Sequence, residues 1–539
     1  MQPRNDKVLV LFPAYPKENT MRIFNLIFSS LLISFASFDL TLLLAQEILV
    51  KPYVQPGDGN TLEGTDVKII AWLTDQKEAT FVVEYGIKGE PVLKAKPVRI
   101  SLDFEKPKPF FDIIKPKVVP QETKQQETKP KVEDKKETIV KKDPPLVEKE
   151  QHYFRYHASL KDLPFNSEIH YCVKSGERII RQSSFRTRPT PDKSARLVLV
   201  GDMATGKAPQ KAIAWQIQKE KPEALIALGD IVYPTGRVIQ YMNYFWNTYN
   251  DVNEPSIATG APLMASVPFY PLLGNHDIGA RFPTTQDALG AFYFFYPPTQ
   301  GPGEGPWSTP LGTDTAAAAK FKTINKHSYP SLDAYSFDYG SAHFLILNNN
   351  KASNMDSPEL IQWAETDLKK TKQPWKFVCY HVPAFHSSRQ HYSEQQSRSW
   401  NPMFEACGVD IVFAGHVHNY QRSHPLLFKP EDKRNTKGRV DGTFTIDKSF
   451  DGDKNTCPKG VIHVVAGGGG ASLYLPGLEK TSVSLKEDFE ENYADFTAIM
   501  NADSYSFVSM DLEPTKLAIR VLNQEGKQID KFMITKPNR

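Results

Sequence analysis

The sequence predicts an all-β sandwich followed by a larger α/β domain built on a largely parallel sheet. Three observations carry this. Between Asp66 and Thr187 the apolar residues alternate in short runs with no long helical pattern between them, as half-buried strands of a sandwich do. After Pro189-Thr190-Pro191 the pattern changes to continuous apolar runs separated by helix-type segments, the mark of parallel strands covered on both faces. Each of these later runs ends at a glycine or a polar side chain, and ligands of α/β sheets collect outside such strand ends. The 539 residues, 40% hydrophobic and 24% charged, suit two or three domains at roughly 150 residues each. A net charge of +3 implies no strong field, so nucleic acid is not an expected partner.

Residues 1–46 read as a signal-peptide region. Ile23–Ala45 is almost wholly apolar, Arg22 precedes it, and Ser34-Phe35-Ala36 or Leu43-Leu44-Ala45 offers a small-residue cleavage site. This is the pattern of a secretory signal, with Met21 as an alternative start. The run is also long enough for an uncleaved membrane anchor, but Asp39 near its far end argues against a clean span. The expected location is periplasmic or extracellular, with no stable membrane partner after cleavage. Cys172, Cys379, Cys407 and Cys457 lack the Cys-x-x-Cys spacing of a structural zinc site or a redox dithiol.

The sandwich is expected over 47–190, with strands at Asp66–Thr74, Ala79–Tyr85, Tyr153–Ala158, Glu168–Val173 and Ser184–Thr187, and Trp72 in its core. Lys, Glu and Pro dominate an insert at 105–150, where Gln-Glu-Thr-Lys occurs twice. Such a segment has too little apolar surface to offset its ordering entropy, so a disordered loop is expected there.

The second, α/β domain is expected over 195–539. Leu197–Val200 ends at Gly201-Asp202, and Ala224–Leu228 ends at Gly229-Asp230 with Tyr233 just beyond. Phe269–Leu273 ends at Gly274-Asn275-His276-Asp277, Phe344–Leu347 at Asn348, Phe377–Tyr380 at His381, and Asp410–Ala414 at Gly415-His416-Val417-His418. Helices are expected at Gln210–Lys219, with Ile213 and Ile217 on one face, and from Ser357-Pro358-Glu359, with Leu360, Trp363 and Ala364 inward. Runs at Phe507–Leu512, Leu517–Val521 and Gln528–Ile534, within the C-terminal strand region 485–539, close the domain. Gly467–Gly470 follows the run Val461–Ala466 but lacks the Gly-Lys of a phosphate loop. His463, inside that run, reads as structural.

Taken singly, these strand ends are bland: a Gly-Asp turn, a core tyrosine, a capping asparagine, a satisfied histidine. Jointly, five of them place a metal-ligand side chain at the same edge. In this order they resemble the calcineurin-like metallophosphoesterases and, among them, the purple acid phosphatases. That family's Asp-x-Gly, Gly-Asp-x-x-Tyr, Gly-Asn-His-Asp/Glu, His and Gly-His-x-His read here as Asp202-Met203-Ala204, Gly229–Tyr233, Gly274–Asp277, His381 and Gly415–His418. The resemblance implies a fibronectin III-like sandwich ahead of a four-layer α/β sandwich. It also implies two metal sites sharing Asp230: Fe(III) on Asp202, Asp230, Tyr233 and His418, and Zn, Mn or Fe(II) on Asp230, Asn275, His381 and His416. Carboxylates and a phenolate are hard anionic donors suited to a trivalent ion, whereas the second set suits a divalent one. Two departures are Ala204 in place of the usual glycine and the longer segment Pro297–Pro330, which is expected to reshape the substrate mouth.

The implied activity is that of an exported phosphomonoesterase acting on a phosphorylated small molecule, with hydroxide held between two metals as nucleophile. His276 and His391 are the expected proton donors, with His386 a weaker candidate, and Arg237 and Arg389 are candidate phosphate contacts. Alternatives are a phosphodiesterase or nucleotide hydrolase on the same centre, or a non-catalytic binding or scaffold protein.

Overall fold

A computed structural model describes residues 46–104, 150–278, 287–431, 440–474 and 493–537. The signal-type stretch, the charged insert up to 149 and the first part of 485–539 lie outside the described residues. Among the described residues, eight strands precede Pro189: β1 (Ile48–Gln55), β2 (Asp66–Thr74), β3 (Val82–Gly86), β4 (Leu93–Ala95), β5 (Val98–Phe104), β6 (Gln151–Leu163), β7 (Glu168–Ser175) and β8 (Arg178–Arg186). They form two antiparallel four-stranded sheets, β1-β2-β6-β5 and β4-β3-β7-β8. Ile70 and Trp72 of β2, Val83 of β3, Tyr156 of β6 and Tyr171 of β7 share one core. Trp72 is fully buried and stacks on Tyr156 at 5.4 Å between ring centroids. The residues that flank the charged insert lie side by side, since Phe104 of β5 pairs with Gln151 of β6.

The second half contains β9 (Ala195–Val200), β10 (Ala224–Ala227), β11 (Phe269–Pro271), β12 (Ala334–Tyr339), β13 (Ala342–Leu347), β14 (Trp375–Cys379), β15 (Ile411–Ala414), β16 (Tyr420–Ser423), β17 (Leu426–Pro430), β18 (Gly442–Ile446), β19 (Ile462–Ala466), β20 (Thr497–Asn501), β21 (Ser506–Leu512), β22 (Lys516–Asn523) and β23 (Gln528–Thr535). The largely parallel sheet read from the apolar runs is divided into two mixed sheets, β11-β10-β9-β21-β22-β23 and β12-β13-β14-β15-β19-β16-β20, as a four-layer sandwich requires, with β17-β18 a separate hairpin. Short apolar runs carry no information about which sheet they join. Leu197, Leu199 and Ile226 of the first sheet share a core with Phe344, Phe377 and Phe413 of the second, so the sheets lie face to face. Helix α1 (Ala208–Glu220) covers the outer face of the first through Ile213 and Ile217. Helix α3 (Pro358–Lys370) covers the second through Leu360, Ala364 and Leu368. Four layers result, with the parallel strands β9–β11 and β13–β15 innermost and doubly covered.

Between them, helix α2 (Thr315–Ile324) is N-capped by Asp314, which accepts from the N–H groups of Ala316 and Ala317. The segment Pro297–Pro330 that carries it is joined to the sandwich. The buried Arg155 of β6 donates to the Tyr293 carbonyl at 2.6 Å and to the Ile324 carbonyl, at the end of α2, at 2.9 Å. A guanidinium there satisfies carbonyls the helix leaves open.

At the sheet edge remote from the strand ends, His343 of β13 sits between Asp338 of β12 and Asp367 of α3, 2.8 Å from each. Burial pushes its pKa down, but hydrogen bonds to the two carboxylates outweigh this and raise it to about 9. Its stabilising effect is therefore full below the unfolded value of about 6.5 and is lost as pH rises through about 9, amounting to about 3 kcal/mol. The Tm of the protein is expected to fall between those pH values, and His343→Gln to flatten that part of the profile. An unchanged pH profile in the variant would exclude this charged triad as a source of stability.

Candidate metal centre

The seven side chains named from the strand ends converge where the two sheets present the carboxyl ends of their parallel strands. Asp202 follows β9, Asp230 and Tyr233 follow β10, and Asn275 follows β11, all from the first sheet. His381 follows β14, and His416 and His418 follow β15, from the second. The backbone is built for this. Asp202, Asp230 and His416 hold positive φ values of 59°, 49° and 67°, a region non-glycine residues enter only under constraint. The loops after β9 and β10 continue as a ladder, Asp202 N–H to Gly229 carbonyl, Met203 to Asp230 and Ala204 to Ile231, at 2.9–3.0 Å. Ala204 has an ordinary φ and takes part in that ladder, so the departure from glycine costs nothing there. Gly229, at φ +82°, could not carry a side chain, because a Cβ would lie 2.5 Å from His381 Nδ1 and 2.8 Å from the Gly274 nitrogen.

One cluster of donor atoms surrounds the Tyr233 hydroxyl: Asp202 Oδ1 at 2.8 Å, Asp230 Oδ2 at 3.0 Å and His418 Nε2 at 3.1 Å. His418 Nδ1 donates to the Ser472 carbonyl at 2.8 Å, which leaves Nε2 facing the cluster. A single phenolic proton cannot serve two carboxylates and an imidazole nitrogen together. A second cluster lies on the other side of Asp230. His381 Nδ1 donates to the Leu228 carbonyl at 2.9 Å, so Nε2 faces Asn275 Oδ1 at 3.1 Å and Asp230 Oδ1 at 3.4 Å. Ligand atoms of Asp230, His381 and His416 lie within 4.8 Å of one another, all three residues buried. Lone pairs gathered this way repel unless protons or cations stand between them, so both donor sets fit metal ions.

Electrostatics without cations follow the same crowding. Burial pushes Asp230 up, but the imidazoles of His381, His276 and His416 hold it below the usual carboxylate range. Burial pushes His381 down, and Asp230 overcomes this to raise it to about 9. Burial, then the charges of Asp202 and Asp230, push Tyr233 well up. A cation at the cluster reverses that logic, because it favours the phenolate.

The candidate proton donors stand around this set. The His276 backbone N–H donates to Asp230 Oδ1 at 2.8 Å, and its Nδ1 donates to the Pro234 carbonyl at 2.5 Å. Its ring lies 4.4 Å from that of Tyr233 and its side chain is 30% exposed. His391, at φ +64°, places its ring 4.0 Å from that of His416. His386 is buried, and burial together with Arg398 pushes its pKa down to about 3, which makes it a poor proton donor. Arg237 is engaged by Asp287 at 2.9 Å, whereas Arg389 is exposed. His463 packs on Phe385 inside β19 at 4.5 Å.

Several residues at the site carry no strand-end signature. Glu394 places one oxygen 2.7 Å from His391 Nδ1 and the other 3.4 Å from His416 Nε2. Its only sequence signal is the three-residue spacing from His391. Tyr474 stacks on His418 at 4.6 Å and donates to the His416 carbonyl at 3.0 Å. The Asp277 carboxylate accepts from the Ile231 and Gly274 N–H groups at 3.0 and 2.9 Å, tying the Asp230 loop to the Asn275 loop. Gly467–Gly470, no phosphate loop, instead lies against the loops after β9 and β15: Gly469 N–H bonds the Gly201 carbonyl at 3.0 Å and Gly467 N–H the Asn419 carbonyl at 3.1 Å.

Residues 195–420 match the family model of the calcineurin-like phosphoesterases, whose span takes in all seven strand-end side chains. Residues 195–420 thus resemble the calcineurin-like phosphoesterases, a class that uses a dinuclear metal centre. More narrowly, the chain is similar to the purple acid phosphatases. It is 27% identical over 278 residues to purple acid phosphatase 1 of Ipomoea batatas, covering 50% of this chain and 52% of that one. It is 24% identical over 376 residues to an Arabidopsis thaliana protein named probable inactive purple acid phosphatase 27, covering 64% and 54%. The chain therefore spans about half the length of these curated relatives. In fold it is similar to the purple acid phosphatase isolated from yellow lupin (Lupinus luteus) seeds, with a TM-score of 0.56 and 19% identity over 90% of this chain and 74% of that one.

Proposed function

We propose that this protein is an exported, metal-dependent phosphomonoesterase acting on phosphorylated small molecules. The observation that carries the reading is the division of Asp230, whose Oδ2 faces Tyr233, Asp202 and His418 while its Oδ1 faces His381 and Asn275. One carboxylate shared by two donor sets is what a pair of neighbouring cations requires. Fe(III) suits Asp202, Asp230, Tyr233 and His418, and Zn, Mn or Fe(II) suits Asp230, Asn275, His381 and His416. Such a pair supplies Lewis acidity to the phosphoryl oxygens and lowers the pKa of water.

The chain's own residues do the rest. His276 and His391 each tie Nδ1 to a protein acceptor, the Pro234 carbonyl and Glu394 respectively, which leaves Nε2 to carry a proton to the leaving oxygen. Tyr474 and the Ser472 carbonyl hold His418 in one tautomer and one plane. Export rests on the apolar stretch Ile23–Ala45. Among the described residues no helix is long and apolar enough to cross a membrane.

The test is a visible spectrum of the metal-loaded protein recorded beside hydrolysis of p-nitrophenyl phosphate. A purple, active protein is expected. Colourless activity would overturn the ferric phenolate, and colour with no turnover would overturn the monoesterase. Tyr233→Phe is expected to abolish the visible band while lowering turnover by no more than roughly tenfold, about 1.4 kcal/mol of barrier.

A further inference from the structure

One strand of the inner set ends without a residue from the metal-ligand pattern. β13 stops at Asn348, and the three asparagines that follow it in sequence, Asn348-Asn349-Asn350, are each no more than 2% exposed. Three consecutive buried amides need many partners, and here those partners are the loops of the second donor set. Asn349 Oδ1 accepts from the N–H groups of both His381, at 3.1 Å, and Val382, at 2.9 Å. Its Nδ2 donates to the Val382 carbonyl at 2.6 Å and to Ser397 Oγ at 2.8 Å. All four hydrogen-bonding positions of that amide are filled, which permits one orientation.

Asn350 acts in the other direction. Its Nδ2 donates across to the first sheet, to the Leu273 carbonyl two residues before Asn275, at 2.7 Å. The same nitrogen is held by Asn348 Oδ1 at 2.7 Å, and Asn348 in turn donates to the buried Asp333 carboxylate at 2.7 Å, which also accepts from Thr309. The run therefore grips His381, which follows β14 of its own sheet, and the turn leading to Asn275, which follows β11 of the opposite sheet. Those two side chains face each other at 3.1 Å, a separation no local sequence preference sets. Among the described residues, the side-chain hydrogen bonds of the run reach none of Asp202, Tyr233 or His418.

We propose that Asn348-Asn349-Asn350 is a positioning element dedicated to the second metal site, setting the distance between Asn275 and His381 across the two sheets. This rests on the two-site reading above. Outer partners of metal ligands orient them, and their loss weakens metal affinity by about 10–100-fold. A general structural network would instead weaken both sites together.

The test uses full-length protein carrying iron, stripped of its second metal and titrated with Zn²⁺ by calorimetry, with the visible band and Tm followed in parallel. Asn349→Ala is expected to weaken Zn²⁺ binding by about 10–100-fold while the visible band keeps its position and intensity per iron. Asn350→Ser, which removes only the grip on Leu273 and its tie to Asn348, is expected to weaken Zn²⁺ binding less, and it carries the test if Asn349→Ala does not fold. Zn²⁺ affinity within about threefold of the unaltered protein in the folded variants would overturn the assignment. So would loss of zinc and iron together in step with a lowered Tm. Failure of the two-site reading is separately visible: the unaltered protein would then bind fewer than two metals per chain by elemental analysis.

Discussion

Replacing Asp230 with asparagine is expected to lower phosphate-ester hydrolysis by roughly 10³-fold or more and to leave at most one metal per chain. Asparagine keeps the shape and one oxygen but turns an NH2 group toward one of the two donor sets. Oδ1 accepts from the His276 N–H and faces His381, while Oδ2 faces Tyr233, so neither amide orientation satisfies both sides. The loss is read in two independent ways, by elemental analysis and by turnover of p-nitrophenyl phosphate. A variant that retained two metals and activity within about tenfold of the unaltered protein would remove Asp230 from the bridging role.

Replacing His276 with asparagine is expected to slow hydrolysis of alkyl phosphates by roughly 10²–10⁴-fold and of p-nitrophenyl phosphate far less. The reason is the leaving group. An alkoxide needs a proton as it departs, whereas p-nitrophenolate leaves readily without one. His276 offers Nε2 for this because Nδ1 is committed to the Pro234 carbonyl, and its backbone N–H fixes it beside Asp230. Repeating the series with His391→Asn separates the two candidates, since only the donor shows the dependence on leaving group. Equal slowing across all leaving groups in the His276 variant would assign that residue to substrate positioning instead.

How much of this was legible beforehand follows from which features are local. β9, β10, β14 and β15 are short apolar runs that stop at Gly201, Leu228-Gly229, Tyr380-His381 and Gly415, and both the run and its stop are visible in a handful of residues. The helix start at Ser357-Pro358 is equally local, and the helix runs Pro358–Lys370. β12 was not foreseen, because Ala-Tyr-Ser-Phe-Asp-Tyr mixes polar and aromatic residues and gains its burial from the opposing sheet and from pairing with β13. Glu394, Tyr474 and Asn349 were not foreseen either. Each acts on a histidine from another loop, and nothing in its own neighbourhood reports that.

The sequence by itself determined the strands β9, β10, β14 and β15, their order along the chain and the type of side chain placed at each of their ends, because these depend on hydrophobic runs and glycine stops along one stretch of chain. Tertiary structure decided which strands join which of the two sheets, and that these sheets pack face to face with the carboxyl ends of their parallel strands at one site. It also decided which oxygen of Asp230 meets Tyr233 and which meets His381. The physical reason is that such separations are set by packing between Leu199, Ile226, Phe377 and Phe413 and by buried bonds such as Asn350 to Leu273, between residues far apart in the chain.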